Sequence, residues 1–196
     1  MQLSRCRCVP LWICVLLLPV STATDPPLNC TELTQPLQQS QLNQILGTWI
    51  LIEAYGNSDF LDVQLGSLSS EWLKINTTEE SGIVRLVKGV RHKNQKEKNC
   101  GFFHDLEAPL VNSSALQIKA DYFSILKFLP TCSECLLYQT YSSADGLEMI
   151  LLYGKSQSLG TSELEMFRKQ ASCLHFPQPP VATFKYNPAD DLCPMS

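Results

Sequence analysis

Short runs of apolar residues alternate with polar positions along most of the chain, a pattern typical of strands. The runs are rich in β-branched, aromatic and leucine residues, and turn-forming Gly, Asn, Ser and Pro separate them. The pattern predicts eight strands, over residues 49–55, 71–75, 83–90, 100–106, 115–119, 122–129, 135–141 and 147–153. Residues 56–66, which begin with Gly56 and Asn57, are predicted to form a loop. Eight strands without helices between them indicate an antiparallel meander, a sandwich or a closed up-and-down barrel, and the barrel is favoured because it leaves no exposed edge.

One strong helix is predicted, and it follows the eighth strand. Ser162 and Glu165 have the spacing of a capping box. An apolar stripe then recurs at three- and four-residue steps, through Leu164, Phe167, Ala171 and Leu174. We expect this stripe to pack on the outer face of the barrel. Residues 181–186 are predicted to form a ninth, edge-type strand, and residues 34–43 a short helical turn before the first strand.

The first 23 residues have the composition of a secretory signal peptide. Arg5 and Arg7 precede an almost wholly apolar run over residues 9–20, and small residues occupy the expected cleavage site at residues 21–23. The run is short for a membrane span, although an uncleaved leader can serve as an anchor, and no later segment approaches twenty apolar residues. We therefore expect a secreted, extracellular protein with no transmembrane segment and a single domain over residues 24–196.

The cysteines and glycosylation motifs agree with that compartment. Six cysteines remain after the leader, and an even number in a secreted chain indicates disulfides. They are Cys30, Cys100, Cys132, Cys135, Cys173 and Cys193, and six cysteines allow fifteen pairings. Asn-x-Ser/Thr motifs predict N-glycosylation at Asn29, Asn76 and Asn112.

The charge of the chain argues against a nucleic-acid-binding protein. The formal charge is −4, and it becomes −6 when Arg5 and Arg7 leave with the leader. A basic cluster stands out from this acidic background, formed by Arg85, Lys88, Arg91, His92, Lys93, Lys96 and Lys98. It has two interpretations, a solvated hairpin tip, which is favoured, or a basic rim that attracts anionic ligands or surfaces.

Gly47 and Trp49 mark the start of the first strand. A glycine at this place lets another group approach the backbone closely, and the N–H of a buried indole needs a partner. Taken alone, the pattern is as consistent with an ordinary core tryptophan as with a family motif.

The order of elements and four sequence blocks resemble those of a lipocalin. The blocks are Leu46-Gly47-Thr48-Trp49, Leu151-Leu152-Tyr153-Gly154-Lys155, Glu163-Leu164-Glu165-Met166-Phe167 with Cys173-Leu174, and Phe184-Lys185-Tyr186 with Asp190-Asp191-Leu192-Cys193. The likeness points to the branch of alpha-1-acid glycoprotein (orosomucoid), apolipoprotein M and the related plasma lipocalins of fishes. Two features depart from the family pattern. The second lipocalin motif, Thr-Asp-Tyr, is not recognisable in residues 129–134, and Lys155 replaces the arginine of the third motif.

The resemblance implies an all-β fold, an eight-stranded antiparallel up-and-down barrel with one C-terminal helix and a short ninth strand. It also implies the disulfides Cys30–Cys173 and Cys100–Cys193, and a barrel floor made by Gly47, Trp49 and Lys155, with the lysine covering the indole. Cys132 and Cys135 then form either a small-ring disulfide across a hairpin turn, which is favoured, or an exchangeable thiol pair. No metal site and no cofactor are expected, because the histidines lack matching spacing for zinc.

An eight-stranded barrel is wide enough to hold one small ligand. Alternation from Trp49 puts Leu51, Glu53 and Tyr55 on the inner face, above the floor. The candidate ligand contacts are Leu51, Tyr55, Leu73, Phe103, Leu137, Met149, Leu151 and Tyr153. For each of them taken singly, ordinary core packing is the favoured interpretation. Ile150 and Leu152 are predicted to face the helix.

The leading hypothesis is a monomeric, plasma-type carrier of a small hydrophobic or amphipathic molecule such as a lipid, a steroid or a drug- or toxin-like compound, with an immunomodulatory or acute-phase role. The alternative is an immune regulator that binds cell-surface receptors, other proteins or lipoprotein particles through its glycans and basic cluster. An isomerase-type lipocalin is disfavoured, and no enzyme is expected, because the first strand has no cysteine and the adjacent His104 and Asp105 face opposite ways on a strand.

Overall fold

The computed structural model describes residues 29–93, 100–121, 124–186 and 192–194, with the side chains of residues 101–104 excepted. The proposed leader lies outside these ranges. Within them, no helix is both long enough and apolar enough to cross a bilayer.

Eight strands form one antiparallel sheet that curls into a nearly closed barrel. They are β1 (Gly47–Gly56), β2 (Leu68–Thr77), β3 (Ile83–His92), β4 (Gly101–Pro109), β5 (Gln117–Lys119), β6 (Ser124–Leu129), β7 (Cys135–Ser142) and β8 (Glu148–Gly154). Their order is β4-β3-β2-β1-β8-β7-β6-β5, so that β1 pairs with both β2 and β8. A bridge between Leu110 and Ile118 links the two ends of this order. The predicted eight-stranded antiparallel barrel is confirmed.

A ninth strand, β9 (Ala182–Thr183), is shorter than the predicted run and pairs with the later half of β1. There Glu53 lies opposite Thr183 and Ala54 opposite Ala182, whereas the earlier half of β1 pairs with β2. The C-terminal segment therefore fills the place where β1 and β2 diverge.

A β-bulge near Ile52 divides β1 into two halves. Leu51 lies opposite Tyr153 on β8, but Glu53 lies opposite Leu152, so that one residue of β1 is extra. An extra residue reverses the alternation of side chains beyond it. The prediction that Glu53 and Tyr55 face the interior with Leu51 is therefore wrong, and Ala54 takes the inner position.

Three short helical segments and one longer helix accompany the barrel. They are α1 (Cys30–Thr34), a 3₁₀ segment (Gln39–Gln44), α2 (Asp59–Gly66) and α3 (Thr161–Cys173). The helix α2 replaces a predicted loop: Ser58 Oγ accepts from Leu61 N at 3.3 Å, and Leu61 and Leu65 are buried one turn apart.

The predicted capping box at the start of α3 is wrong. The N-cap is Gly160, and the Ser162 hydroxyl donates to Glu163 Oε2 at 3.0 Å instead of capping the backbone. The predicted apolar stripe is confirmed, since Phe167 and Ala171 are fully buried and Leu164 and Leu174 pack beside them.

The two faces of the sheet bury two separate clusters. One lies inside the barrel and includes Trp49, Leu51 and Phe128, whereas the other lies between the barrel and α3 and includes Ile150, Leu152 and Phe167. Because β7 and β8 are buried on both faces, their apolar runs are nearly continuous. Ile150 and Leu152 face the helix, as the sequence predicts.

The described part of the chain has three disulfides. Two are those implied by the lipocalin resemblance, and the third is the favoured small-ring disulfide across a hairpin turn. Cys30–Cys173 ties α1 to the end of α3, Cys100–Cys193 ties the start of β4 to the C-terminal segment, and Cys132–Cys135 spans the turn between β6 and β7. The first two link residues 143 and 93 positions apart, so they constrain the unfolded chain far more than the third.

The closed end of the barrel is built around Trp49. Its indole N–H donates to the carbonyl oxygen of Ile45 at 2.8 Å, and Lys155 Nζ lies 3.4 Å from the ring centroid. Gly47 has φ +111°, and a Cβ there would lie 2.7 Å from Lys155 Nζ. The positive φ of this residue favours a glycine, and a Cβ there would also displace the Lys155 ammonium.

Candidate ligand-binding cavity

The interior of the barrel consists of a packed closed half and a more open half. Towards the floor the inward side chains Ile75, Val84, Leu116, Ile118 and Phe128 are fully buried and fill the lumen. This close packing leaves the space for a ligand on the side of the barrel that α2 covers.

A cavity of about 420 Å³ lies beneath α2. Its lining comes from α2 and from β2, β3, β7 and β8, namely Phe60, Leu61, Gln64, Leu65, Leu68, Glu71, Lys88, Val90, His92, Tyr138, Met149 and Leu151. The walls are mostly aliphatic, and the polar groups Glu71, Lys88 and Tyr138 come together on one side. Such a combination of apolar walls with a few convergent polar groups is typical of small-molecule sites.

A second, smaller cavity of about 180 Å³ shares Lys88, Tyr138 and Met149 with the first. It extends towards β4 and β6 and is lined there by Leu106, Asp121, Ser124, Leu126 and Thr140, with Leu73, Leu86 and Ala120 also in contact. The shared residues therefore stand between two compartments of one lumen.

A ring of four polar side chains in mutual contact spans the lumen. Lys88 Nζ lies 2.8 Å from Glu71 Oε1, and the Tyr153 hydroxyl donates to the same oxygen at 2.5 Å. The hydroxyls of Tyr138 and Tyr153 are 3.0 Å apart, and Tyr138 interacts electrostatically with the Lys88 ammonium. We call these four residues the lumenal ring.

Each side of the lumenal ring comes from one hairpin. Glu71 and Lys88 are diagonal neighbours across β2 and β3, because Glu71 lies opposite Val90 and Leu73 opposite Lys88. Tyr138 and Tyr153 are likewise diagonal across β7 and β8. In the strand order β1 lies between β2 and β8, and β3 lies opposite β7, so the ring spans the part of the lumen in front of β1.

The proton positions in the ring follow from the donors available. Tyr153 has one hydroxyl hydrogen, which it donates to Glu71, so Tyr138 must be the donor to Tyr153. The two hydroxyl bonds therefore run in one direction, from Tyr138 through Tyr153 to the carboxylate, and the Lys88 ammonium pairs with that carboxylate directly.

Burial and mutual contact raise the pKa values of the tyrosines and the lysine of the ring, which favours their protonated forms. Burial, followed by the negative charge of Glu71, raises the pKa of Tyr153 well above its ordinary value, and burial also raises the pKa of Tyr138. Burial alone would lower the pKa of Lys88, but Glu71 and Tyr138 outweigh it and the pKa is raised. At neutral pH the ammonium and both phenols keep their protons.

The predicted contact residues fall into three groups. Leu51, Leu73, Met149, Leu151 and Tyr153 lie on the inner side of the barrel, and Met149 and Leu151 line the larger cavity. The predictions for Tyr55 and Leu137 are wrong, because both pack between the barrel and α3, where Tyr55 meets the ring of Phe167 edge-on at 5.4 Å. The side chain of Phe103 lies outside the described part of the structure.

The basic cluster does not form a single surface in the described residues. Lys88 lies inside the barrel, which contradicts its assignment to a solvated hairpin tip, and Arg85 pairs with Asp105 at 2.6 Å on the exterior. Lys93 donates to the carbonyl oxygen of Gly66, and Arg91 to the sulfur of Cys100. Lys96 and Lys98 lie outside the described ranges.

Sequence reasoning missed Glu71, Lys88 and Tyr138 as site residues. A signal was present, because Glu71 and Leu73 alternate with Trp72 on β2, and Lys88 alternates with Leu86 and Val90 on β3. A charged residue in register with inward-facing leucine or valine positions indicates a buried charge. Its partner on the neighbouring strand becomes evident only once the register is known.

A groove of about 460 Å³ lies outside the barrel, between α1, α3 and the Cys132 turn. Its apolar lining includes Leu33, Pro130 and Met166, and its carboxylates are engaged at helix ends, where Glu32 accepts from Asn29 N and Glu163 from Ser162. The cavity beneath α2 is the better candidate site, because buried polar side chains converge on it.

Comparison with known proteins identifies similar folds, whereas the sequence comparisons give no match. No protein-family model matches the chain, and a search of curated proteins gives no match. Among solved structures, the siderocalin Ex-FABP superposes with a TM-score of 0.62 at 17% identity, over 74% of this chain and 97% of that one.

Two further solved structures give the same result. A lipocalin whose expression is activated by cell transformation by the myc oncogene has a TM-score of 0.56 at 16% identity, over 78% of this chain and 96% of that one. A siderocalin described by a dual ligand binding mode has a TM-score of 0.58 at 14% identity, over 70% and 87%. At these identities the comparisons show that the chain has the fold of a lipocalin.

Proposed function

We propose that this protein is a secreted carrier that binds one small hydrophobic or amphipathic molecule in the open half of its barrel. The observation that carries the proposal is the cavity beneath α2, about 420 Å³ in volume, with aliphatic walls and a polar side made by the lumenal ring. This volume lies within the range of small-molecule sites. Burial of apolar ligand surface, at about 25 cal/mol per Å², would supply most of the affinity.

The lumenal ring supports a site that is formed before the ligand arrives. The four side chains are held by the Lys88–Glu71 ion pair and by the Tyr153–Glu71 and Tyr138–Tyr153 hydrogen bonds, and the two tyrosine rings also stack with centroids 5.6 Å apart. A ligand head would therefore meet groups that are already positioned, which reduces the entropy lost on binding.

The helix α2 has the position of a cover over this site. Leu61 and Leu65 face the cavity, whereas Val63 is 70% exposed on the outside. The cavity opens to solvent beside α2, where Phe60 in its lining is 59% exposed, so a ligand would enter past this helix. We infer that α2 is the entry to the carrier.

The sequence motifs for secretion are compatible with this arrangement. Asn76 ends β2 and Asn112 follows β4, so both lie towards the closed end of the barrel. Asn112 and Asn29 are exposed. Glycans on Asn76 and Asn112 would leave the entry free. Membership of the branch of alpha-1-acid glycoprotein and apolipoprotein M, a monomeric state, and receptor or lipoprotein partners rest on the sequence alone and stay predictions.

Titration with a neutral fluorescent probe, N-phenyl-1-naphthylamine, tests the proposed function. We expect saturable enhancement of probe fluorescence with one site per chain. Met149→Trp would fill the cavity and weaken probe binding at least tenfold, whereas Met166→Trp in the outer groove is the matched control and should leave binding unchanged. Circular dichroism would establish that both variants fold. Probe binding that is unsaturable, or that is lost with Met166→Trp and kept with Met149→Trp, contradicts the proposal.

A further inference from the structure

We propose that the cavity selects ligands whose polar head is electrically neutral and carries a hydrogen-bond acceptor beside a donor, such as a primary carboxamide, in preference to a carboxylate or an ammonium. This inference rests on the proposed function, because it presupposes that the cavity receives a ligand. It is argued from the hydrogen-bonding groups of the lumenal ring that have no partner within the ring.

The ring leaves one donor and one acceptor for a ligand. Lys88 has three ammonium hydrogens, of which the contact with Glu71 uses one and the neighbouring Tyr138 hydroxyl can take a second. Glu71 Oε1 accepts from both Lys88 and Tyr153, whereas Glu71 Oε2 has no hydrogen bond to any described residue. Both side chains line the larger cavity.

Neither tyrosine hydroxyl has a hydrogen left to donate to a ligand. The hydroxyl hydrogen of Tyr153 is committed to Glu71 and that of Tyr138 to Tyr153. Within the ring, the remaining N–H of Lys88 and the remaining oxygen of Glu71 are the groups with free capacity, and they belong to partners 2.8 Å apart. A head group that accepts from one and donates to the other must itself carry an acceptor next to a donor.

The charge of the ring excludes heads with a net charge. Glu71 is 4% exposed and the side chain of its partner Lys88 is 23% exposed, and their opposite charges make the pair neutral as a unit. A carboxylate bound there would have to share the positive charge of Lys88, which Glu71 already neutralises. An ammonium would have to share the negative charge of Glu71, which Lys88 already neutralises. Burial of a charge without its own partner is strongly unfavourable.

The other ionisable side chains at the cavity do not alter this balance. His92 lies at the rim, where its Nδ1 is 3.1 Å from Ser67 Oγ, and Asp121 lies in the smaller compartment and is exposed to solvent. A carboxamide satisfies the ring without adding charge, since its C=O can accept from Lys88 while its N–H donates to Glu71 Oε2. Its apolar body would then lie against Leu65, Leu68 and Leu151.

Displacement of N-phenyl-1-naphthylamine by three ligands of equal chain length tests the inference. The ligands are decanamide, decanoate and decylammonium, added at pH 7.4 to the full chain without its leader. We expect decanamide to bind at least tenfold more tightly than either charged ligand. Equal displacement by all three, or tighter binding of a charged one, would overturn the inference.

Two single substitutions extend the test by removing one charge of the Glu71–Lys88 pair at a time. Glu71→Gln leaves Lys88 without its counter-charge and should shift the preference to decanoate, whereas Lys88→Met should shift it to decylammonium. Arg85→Met and Asp105→Asn alter an ion pair on the exterior and serve as charge-matched controls that keep the wild-type order. An unchanged order in both ring variants overturns the inference.

The outcomes separate this inference from the proposed function. If the probe binds but the three ligands compete equally, the carrier function stands and the selection of neutral heads falls. If the probe does not bind the wild type, both fall together. Should the ring variants fail to fold, the comparison of the three ligands on the wild type decides the matter alone.

Discussion

The Tyr153 hydroxyl on β8 donates a 2.5 Å hydrogen bond to Glu71 Oε1 on β2, across the lumen of the barrel. Both side chains are almost wholly buried, so this bond and the ion pair with Lys88 are what allow a carboxylate to lie there. It also fixes the direction of the other bonds in the lumenal ring.

Tyr153→Phe is expected to lower the free energy of unfolding by about 1.5–3 kcal/mol, the range for a hydrogen bond to a charged group. The substitution removes one of the two donors to Glu71 Oε1 and leaves the Tyr138 hydroxyl without its acceptor. Urea denaturation followed by circular dichroism measures the change. Tyr141→Phe is the control, because Tyr141 is 50% exposed on β7, and a loss equal to that of Tyr153→Phe would contradict the role of the ring.

Stability should fall as the pH rises above about 10, the ordinary pKa of tyrosine. The pKa values of Tyr138, Tyr153 and Lys88 are raised in the fold, so these groups keep their protons while the unfolded chain loses them. The folded state then binds more protons than the unfolded state, and each such group lowers the free energy of unfolding by up to about 1.4 kcal/mol per pH unit.

Urea midpoints measured between pH 8 and pH 11.5 check this dependence. Tyr55 and Tyr186 act in the same direction, since burial raises their pKa values too. Tyr153→Phe should therefore reduce the alkaline slope without abolishing it. A midpoint that does not change up to pH 11.5 would refute the assigned protonation of the ring.

Removal of the Lys155 side chain should loosen the floor of the barrel. Its ammonium lies 3.4 Å from the centroid of the Trp49 ring, and burial there lowers the pKa of Lys155. We expect Lys155→Ala to cost about 0.5–1 kcal/mol, as for a cation–π contact at an exposed site, because Lys155 is exposed to solvent.

Trp49 fluorescence provides a second readout of the same change. Greater exposure of the indole in Lys155→Ala should shift its emission to longer wavelength, and Lys155→Arg should retain both the stability and the emission of the wild type. Lys185→Ala, at an exposed lysine near the C-terminus, is the control. The interpretation fails if Lys155→Ala and Lys185→Ala are indistinguishable.

The helix α3 is held to β1 by a buried carboxylate. Glu53 is fully buried and accepts from Arg168 Nη2 at 2.7 Å, from Arg168 Nε at 3.2 Å and from Thr183 at 3.1 Å. Arg168→Met should cost about 2–3 kcal/mol, less than the roughly 3–5 kcal/mol typical of a broken buried pair, because the Arg168 side chain is 43% exposed.

A double substitution distinguishes loss of the pair from loss of packing. Glu53→Leu combined with Arg168→Met removes both charges and should recover part of the stability that Arg168→Met loses. The exposed pair Arg85–Asp105 offers the comparison, since Arg85→Met should leave stability unchanged within error. Equal effects at both pairs would contradict the role assigned to Glu53.

The regular part of the fold could be predicted from the sequence because it depends on local pattern. Turn residues delimit the strands, and the stripe through Phe167 and Ala171 defines the face of α3 that is buried. The helix α2 was missed because its first residues, Ser58 and Asp59, are also turn formers, and only the burial of Leu61 and Leu65 distinguishes the two.

The candidate site was harder to predict because it depends on register. Leu136 and Leu137 are both apolar, and only the strand pairing shows that Leu136 faces the lumen and Leu137 faces α3. The lumenal ring joins strands that are far apart in the sequence, with Glu71 and Tyr153 separated by 82 positions. A single sequence contains no measure of such a contact.

The bulge at Ile52 gives the barrel an evolutionary freedom that a regular strand lacks. Loss of one residue from a regular strand turns every side chain beyond it to the other face. Loss of Ile52 would instead leave Glu53 opposite Leu152 and Ala54 opposite Leu151, because Ile52 is the extra residue of this strand. Descendants of this chain could therefore lose the codon for Ile52 and keep both the ion pair of Glu53 and the side chains that now line the cavity.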